Sequence, residues 1–114
     1  MPQYMLSVMH DEEYVLDFTT PDMQRIGPKV GALNEELTET GRWVFGAGLM
    51  PRNTTVVARP DETITDGPYA EVKEHMGGFW IINVADDAEA RDWARRASLA
   101  CEAPVEMRPL QDEG

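Results

Sequence analysis

The chain has 114 residues, 42% of them hydrophobic, which suits one domain (1–114) with one packed core and is too apolar for a disordered chain. It carries 21 acidic against 10 basic residues, a net charge of −11 that repels phosphate backbones and anionic lipid heads, so no nucleic-acid partner is expected. No apolar run approaches the roughly 20 residues of a membrane helix. The opening Met1-Pro2-Gln3-Tyr4 lacks a secretory pattern, and the single cysteine, Cys101, permits no internal disulfide, so the expected setting is the cytoplasm.

Tyr4–Met9 reads as a first strand, apolar on both faces apart from Ser7 and therefore central in its sheet. His10-Asp11-Glu12-Glu13 closes it. Its potential metal ligands are adjacent in sequence and cannot converge on one ion from a strand, so no metal is expected. Tyr14–Thr20 is a linker. Helix 1 follows Pro21-Asp22, with Ile26, Val30, Leu33 and Leu37 on one apolar stripe. Gly27, Pro28 and Gly31 weaken its first half, which places the regular helix from near Pro28, and Thr40-Gly41 is the stop.

Arg42–Leu49 reads as the second strand. Its Gly46-Ala47-Gly48 precedes no helical pattern and is not a dinucleotide fingerprint. Thr54–Arg59 and Thr63–Thr65 form a small hairpin. Gly78–Val84 is the strongest strand. Asp86 caps helix 2 with Glu89 three residues on, and Ala90, Trp93, Ala94 and Ala97 make its buried stripe. Cys101, with no base near it in sequence, reads as a buried residue rather than a nucleophile. Pro104–Pro109 is the last strand.

This order is the ferredoxin-like, split βαβ plan of an α+β protein, with a hairpin insert. Two helices cover one face of such a sheet. The other apolar face predicts a homodimer with sheets face to face.

The densest run of reactive side chains lies between the hairpin and the strongest strand. Asp66-Gly67-Pro68 is a turn, and Tyr69, Glu71, Lys73, Glu74 and His75 follow within it or just after. A loop anchored to a rigid strand is a common seat for chemistry, although a polar loop between strands is also charged for solubility alone. With the first and third main strands parallel at the centre, this loop would lie beside Tyr4, Leu49 and Arg108, leaving His10 and Arg42 at the opposite rim. Arg108 is then the expected cationic neighbour of Asp66, Glu71 and Glu74.

Asp66-Gly67-Pro68-Tyr69-Ala70-Glu71-Val72-Lys73-Glu74 resembles the Asp-Gly-Pro-Phe-type signature of the YCII-related (DGPF-domain) proteins. Tyr4-Met5-Leu6, Gly77-Gly78-Phe79, Ala90-Arg91-Asp92-Trp93-Ala94 and Val105-Glu106-Met107-Arg108-Pro109 fit the same pattern, so the similarity runs from about Tyr4 to Leu110. The resemblance implies a dimeric α+β barrel in a soluble bacterial family, mostly of unassigned activity and often found with extracytoplasmic-function sigma factors. Some relatives carry a helix-1 histidine paired with an aspartate. Here Asp22–Thr40 contains no histidine, and His75 is the candidate substitute.

Three functions follow. The first is a cofactor-independent acid–base enzyme of isomerase or lyase type, in which Asp66 and His75 are catalytic and Tyr69, Glu71, Lys73, Glu74 and Arg108 bind the small-molecule substrate. The second is a non-catalytic ligand-binding or regulatory module of a sigma-factor system. In the third, the loop only clasps the dimer.

Overall fold

The computed structural model describes residues 1–70 and 72–111. Strand β1 (Gln3–His10) leads through a turn into α1 (Pro21–Glu39) and then β2 (Trp43–Gly48). A short 3-10 turn (Arg52–Thr54) precedes β3 (Val56–Ala58) and β4 (Ile64–Asp66). The chain closes with β5 (His75–Asn83), α2 (Asp87–Cys101) and β6 (Val105–Pro109). The main sheet has the order β2-β5-β1-β6, and β3 pairs only with β4 in a separate two-stranded ribbon.

Every pairing in the main sheet is antiparallel. The expected parallel pairing of the two central strands is therefore corrected: β1 runs against β5, with Tyr4 opposite Ile82 and His10 opposite His75. The split plan survives because each βαβ crossover joins parallel strands with one antiparallel strand between them. The correction moves residues between rims. His10 stands at the same rim as the incoming Asp66–His75 segment. Tyr4 and Arg108 stand at the other rim, Arg108 being opposite Met5. Leu49 is at the expected rim, where its N–H donates to the Gly77 carbonyl at 2.9 Å. Arg42 is at the far rim, as expected, its carbonyl accepting from the Asn83 N–H at 2.8 Å.

Helix α1 begins at Pro21 rather than near Pro28. Thr20 Oγ1 caps it by accepting from the Met23 N–H at 3.2 Å, and Pro21 supplies a fixed φ where no helical donor is needed. Pro28 remains inside the helix, and its missing N–H leaves one carbonyl of the preceding turn without a helical partner. Packing offsets that loss, since Leu33 and Leu37 are buried further along the same stripe. The stop is a Schellman motif: Gly41, at φ 74°, donates to Thr38 O, and Arg42 N–H donates to Leu37 O at 2.8 Å.

Helix α2 starts at the predicted cap, where Asp86 Oδ1 accepts from the Glu89 N–H at 2.8 Å. Glu89 returns a bond from the Ala85 N–H and also accepts from the Trp93 indole and the Arg42 guanidinium. It ties the helix start to the entrance of β2. Both helices lie on one sheet face, where Leu6, Leu37, Ile82 and Val84 are fully buried. Side chains alternate along β1 and β5, so Tyr4, Leu6, Val8, Trp80 and Ile82 face the helices while Met5, Phe79 and Ile81 face outward, only half-buried. The central strands thus have one buried and one open face. Phe45 on β2, 54% exposed, stands on the open face and contacts Phe79 ring to ring at 5.9 Å.

Candidate functional site

On the helix side of the sheet, at the rim where β1 ends and β5 begins, a cavity of about 520 Å³ opens between α1 and the strands. Its walls come from Trp43 and Trp80 on the sheet, Met23, Ile26 and Val30 on α1, and the His10–Tyr14 turn. Each wall has a local cause. Gly48 and Gly78 bring side-chain-free backbone to its wall, while Gly46 and Gly77 are covered by the rings that lie over them. A Cβ on Gly46 would meet the Trp43 ring at 2.8 Å and the Trp80 ring at 3.0 Å, so the absent side chain lets both indoles lie close over the strand. At Gly48, which faces the cavity across from Gly78, nothing lies within 4 Å of the missing side chain.

His10 sits at the cavity mouth through a β-bulge. The β1–β5 register shifts between Val8 and Met9, leaving Gly77 as the extra residue on β5. The bulge turns Gly77 toward the helix side, and the His10 ring occupies the space its side chain would need: a Cβ there would lie 2.0 Å from His10 Cδ2. Asp11 then makes a tight turn, accepting from the Glu13 N–H at its side chain and from the Tyr14 N–H at its carbonyl. The turn folds Tyr14 back onto His10, with ring centroids 3.6 Å apart and planes within 3°.

The electrostatics of this cluster favour neutral forms. Burial holds the His10 imidazole below its usual range, the nearby His75 pushes the same way, and Asp11 opposes both. His10 is therefore neutral at pH 7, with one ring nitrogen free to accept a proton. Burial raises the Tyr14 phenol, with Cys101 adding to the effect. Burial also pushes the Cys101 thiol up to about 11, so it is no thiolate nucleophile at neutral pH. The His75 ring lies 6.4 Å from His10, and its Nδ1 is buried with no hydrogen-bond partner among the described residues. Trp80 Nε1 donates to Asn34 Oδ1 at 2.7 Å, which satisfies the one indole donor in the cavity wall that is buried deepest.

Of the described residues expected to catalyse or to bind a substrate, His75 alone meets this cluster. Asp66 ends β4 and is exposed in the ribbon, rather than set in an apolar rim. Tyr69 is 81% exposed, and Lys73 and Glu74 are exposed in the segment leading to β5. Glu71 lies outside the described residues. Arg108 stands at the far end of the sheet beside Met5, which removes it as a neighbour of Asp66 and Glu74. The sequence reading weighs His10 as a metal ligand, places it at the rim opposite the loop, and gives no role to Tyr14 or to the strand glycines of the cavity. Their signal was present in His10-Asp11-x-x-Tyr14 and in the paired Gly-x-Gly and Gly-Gly of two strands. The split plan itself opposes the two central strands, and reading them as parallel sets His10 at the wrong rim.

A sheet in the order β2-β5-β1-β6 with both helices on one face defines a ferredoxin-like α+β protein. The chain belongs to the YCII-related family, whose domain model matches residues 3–112. It is 32% identical over 112 residues to an uncharacterized protein of Rhizobium meliloti (strain 1021), a match spanning 94% of this chain and 90% of that one. Among the described residues, no helix is long and apolar enough to cross a membrane, and no group of three or more His, Cys, Asp or Glu side chains could hold a metal ion.

Proposed function

We propose that this protein binds a small molecule in the cavity between α1 and the sheet, and that His10 is the proton acceptor of a cofactor-independent isomerase- or lyase-type reaction there. The observation that carries the proposal is a neutral imidazole held at the mouth of a 520 Å³ cavity by Gly77 below and Tyr14 above. A base held neutral at working pH and fixed between two surfaces has both attributes that proton abstraction needs.

The working form is a cytoplasmic homodimer with open sheet faces opposed, a dimeric α+β barrel. Phe45, Phe79, Met5 and Ile81 support this reading, being apolar on the uncovered face. The ribbon adds support. The radius of gyration is 15.5 Å, against about 13 Å for a compact chain of this size. The excursion from β2 to β5 also exposes Met50, Val56, Ile64 and Tyr69. Asp66, Tyr69, Lys73 and Glu74 belong to the surface that meets the second copy.

A second reading, binding without turnover in a regulatory role tied to a sigma-factor system, is favoured by one observation: Cys101, held protonated by burial, offers the cavity no thiolate nucleophile. A thermal-shift screen of metabolites against wild type, His10→Asn and Asp66→Asn tests the site. A stabilising metabolite that loses its effect in His10→Asn and keeps it in Asp66→Asn supports the cavity, and the reverse pattern moves the site to the ribbon. Turnover of that metabolite, followed by proton exchange with deuterated solvent, separates enzyme from binding module.

A further inference from the structure

We infer that the cavity takes an uncharged, planar aromatic molecule and discriminates against carboxylates. The inference rests on the cavity being the ligand site, as proposed above, and adds the chemical class of the ligand. Three features of the walls carry it.

The first is charge. Among the described residues that line the cavity are three carboxylates, Glu13, Asp22 and Glu102, and one guanidinium, Arg25. Its Nε and Nη2 are already engaged: they meet Glu102 at 2.8 and 2.7 Å, Nη2 also meets Asp22 Oδ1 at 3.1 Å, and Glu102 is further held by Lys29 at 2.9 Å. An anionic ligand would have to compete with those carboxylates for the guanidinium and enter through a rim of acid on a protein of net charge −11.

The second is shape. Gly48 on β2 and Gly78 on β5 are cross-strand partners that bring side-chain-free backbone to the cavity wall, and Gly46 lets the indoles of Trp43 and Trp80 lie over the strand beside them. A floor of peptide planes flanked by aromatic rings accepts a flat ring and leaves little for a branched aliphatic body to fill.

The third is the polar partner. His10 offers one neutral ring donor or acceptor at the mouth, suited to a hydroxyl or a carbon acid on the ring's edge rather than to a second carboxylate. Deeper in the cavity, Trp80 Nε1 donates to Asn34 Oδ1 at 2.7 Å, which satisfies both of those atoms.

The test is isothermal titration calorimetry near neutral pH with two probes sharing one ring system, 2-naphthol and 2-naphthoate, against wild type and Gly48→Leu. The substitution extends a side chain into open cavity space on an edge strand, at an ordinary backbone conformation, and circular dichroism checks its fold. The expected result is saturable 2-naphthol binding to wild type, at least about tenfold tighter than 2-naphthoate, and weakened by about tenfold or more in Gly48→Leu. If 2-naphthoate binds wild type as tightly as 2-naphthol, the ligand class is overturned and the cavity reading stands. If neither probe binds, or if Gly48→Leu binds 2-naphthol as wild type does, the cavity reading falls and takes this inference with it. The charge comparison needs wild type alone, so it holds even if the variant fails to fold.

Discussion

The imidazole of His10 lies over the backbone of Gly77 so closely that no other residue fits beneath it: an added Cβ would stand 2.0 Å from His10 Cδ2 and 2.7 Å from Nε2. The ring cannot swing clear easily, because Tyr14 stacks on its other side. Gly77→Ala should therefore displace His10 or distort the bulge, costing about 1–3 kcal/mol, as overpacked sites do. Urea unfolding gives the cost, and the His10 ring resonances by NMR report the displacement. An alanine variant with wild-type stability and unchanged His10 resonances would show that the contact is not a constraint.

His10 also makes stability depend on pH. Its folded pKa lies below the unfolded value of 6.5, so the unfolded chain binds the extra proton first. The stability due to neutral His10 is complete above the unfolded pKa and is lost as pH falls from there through the lower folded value. Unfolding free energies measured from about pH 8 down to about pH 5 should decline on the acid side. The decline should be shallower in His10→Asn. An identical pH profile in the variant would place the acid sensitivity elsewhere.

At the far rim, Glu89 couples α2 to β2. The Arg42 guanidinium, first, and the bonds from Ala85 N–H and Trp93 hold its carboxyl at about 2, against burial, which pushes it up from 4.5. A depressed carboxylate stabilises the fold above its unfolded pKa and loses that contribution as pH falls through the folded value. Between about pH 5 and about pH 2, Glu89→Gln should show a flatter loss of stability than wild type. At neutral pH Glu89→Ala should cost about 2 kcal/mol, since it leaves the Trp93 indole and the Arg42 side chain without their acceptor. Arg42→Ala is consequently a destabilised variant and a poor neutral control for ligand studies.

The open sheet face makes the assembly testable. Sedimentation should give a mass near twice the 12.8 kDa protomer, and Phe45→Glu, which puts a charge on the half-exposed ring position of that face, should shift the protein toward monomer without unfolding it. A wild type that sediments as a monomer at micromolar concentration would overturn the face-to-face arrangement.

Much of this architecture is legible from residues alone, because its signals are local. Asp86 and Glu89 mark the start of α2 by bonds that span only a few residues, and Thr40-Gly41 ends α1 because the chain there needs a positive φ. The buried stripe through Leu33 and Leu37 follows from helical periodicity. The Asp66-Gly67-Pro68 signature, being a contiguous run, pointed to the family that the comparison establishes. Pro28 was misjudged as a boundary because tertiary packing, which no local rule contains, carries the helix through it.

Only the tertiary structure decided which residues share a rim. Alternation of buried and open side chains is the same whether two strands run parallel or antiparallel, so the strand residues themselves do not announce direction; the split βαβ plan does, and it opposes the two central strands. That one direction sets His10 against His75 and carries Arg108 away to Met5. The cavity depends on it as well. Gly48 and Gly78 are ordinary strand glycines in sequence, and they come together in the cavity wall only when antiparallel pairing lays β2 and β5 side by side.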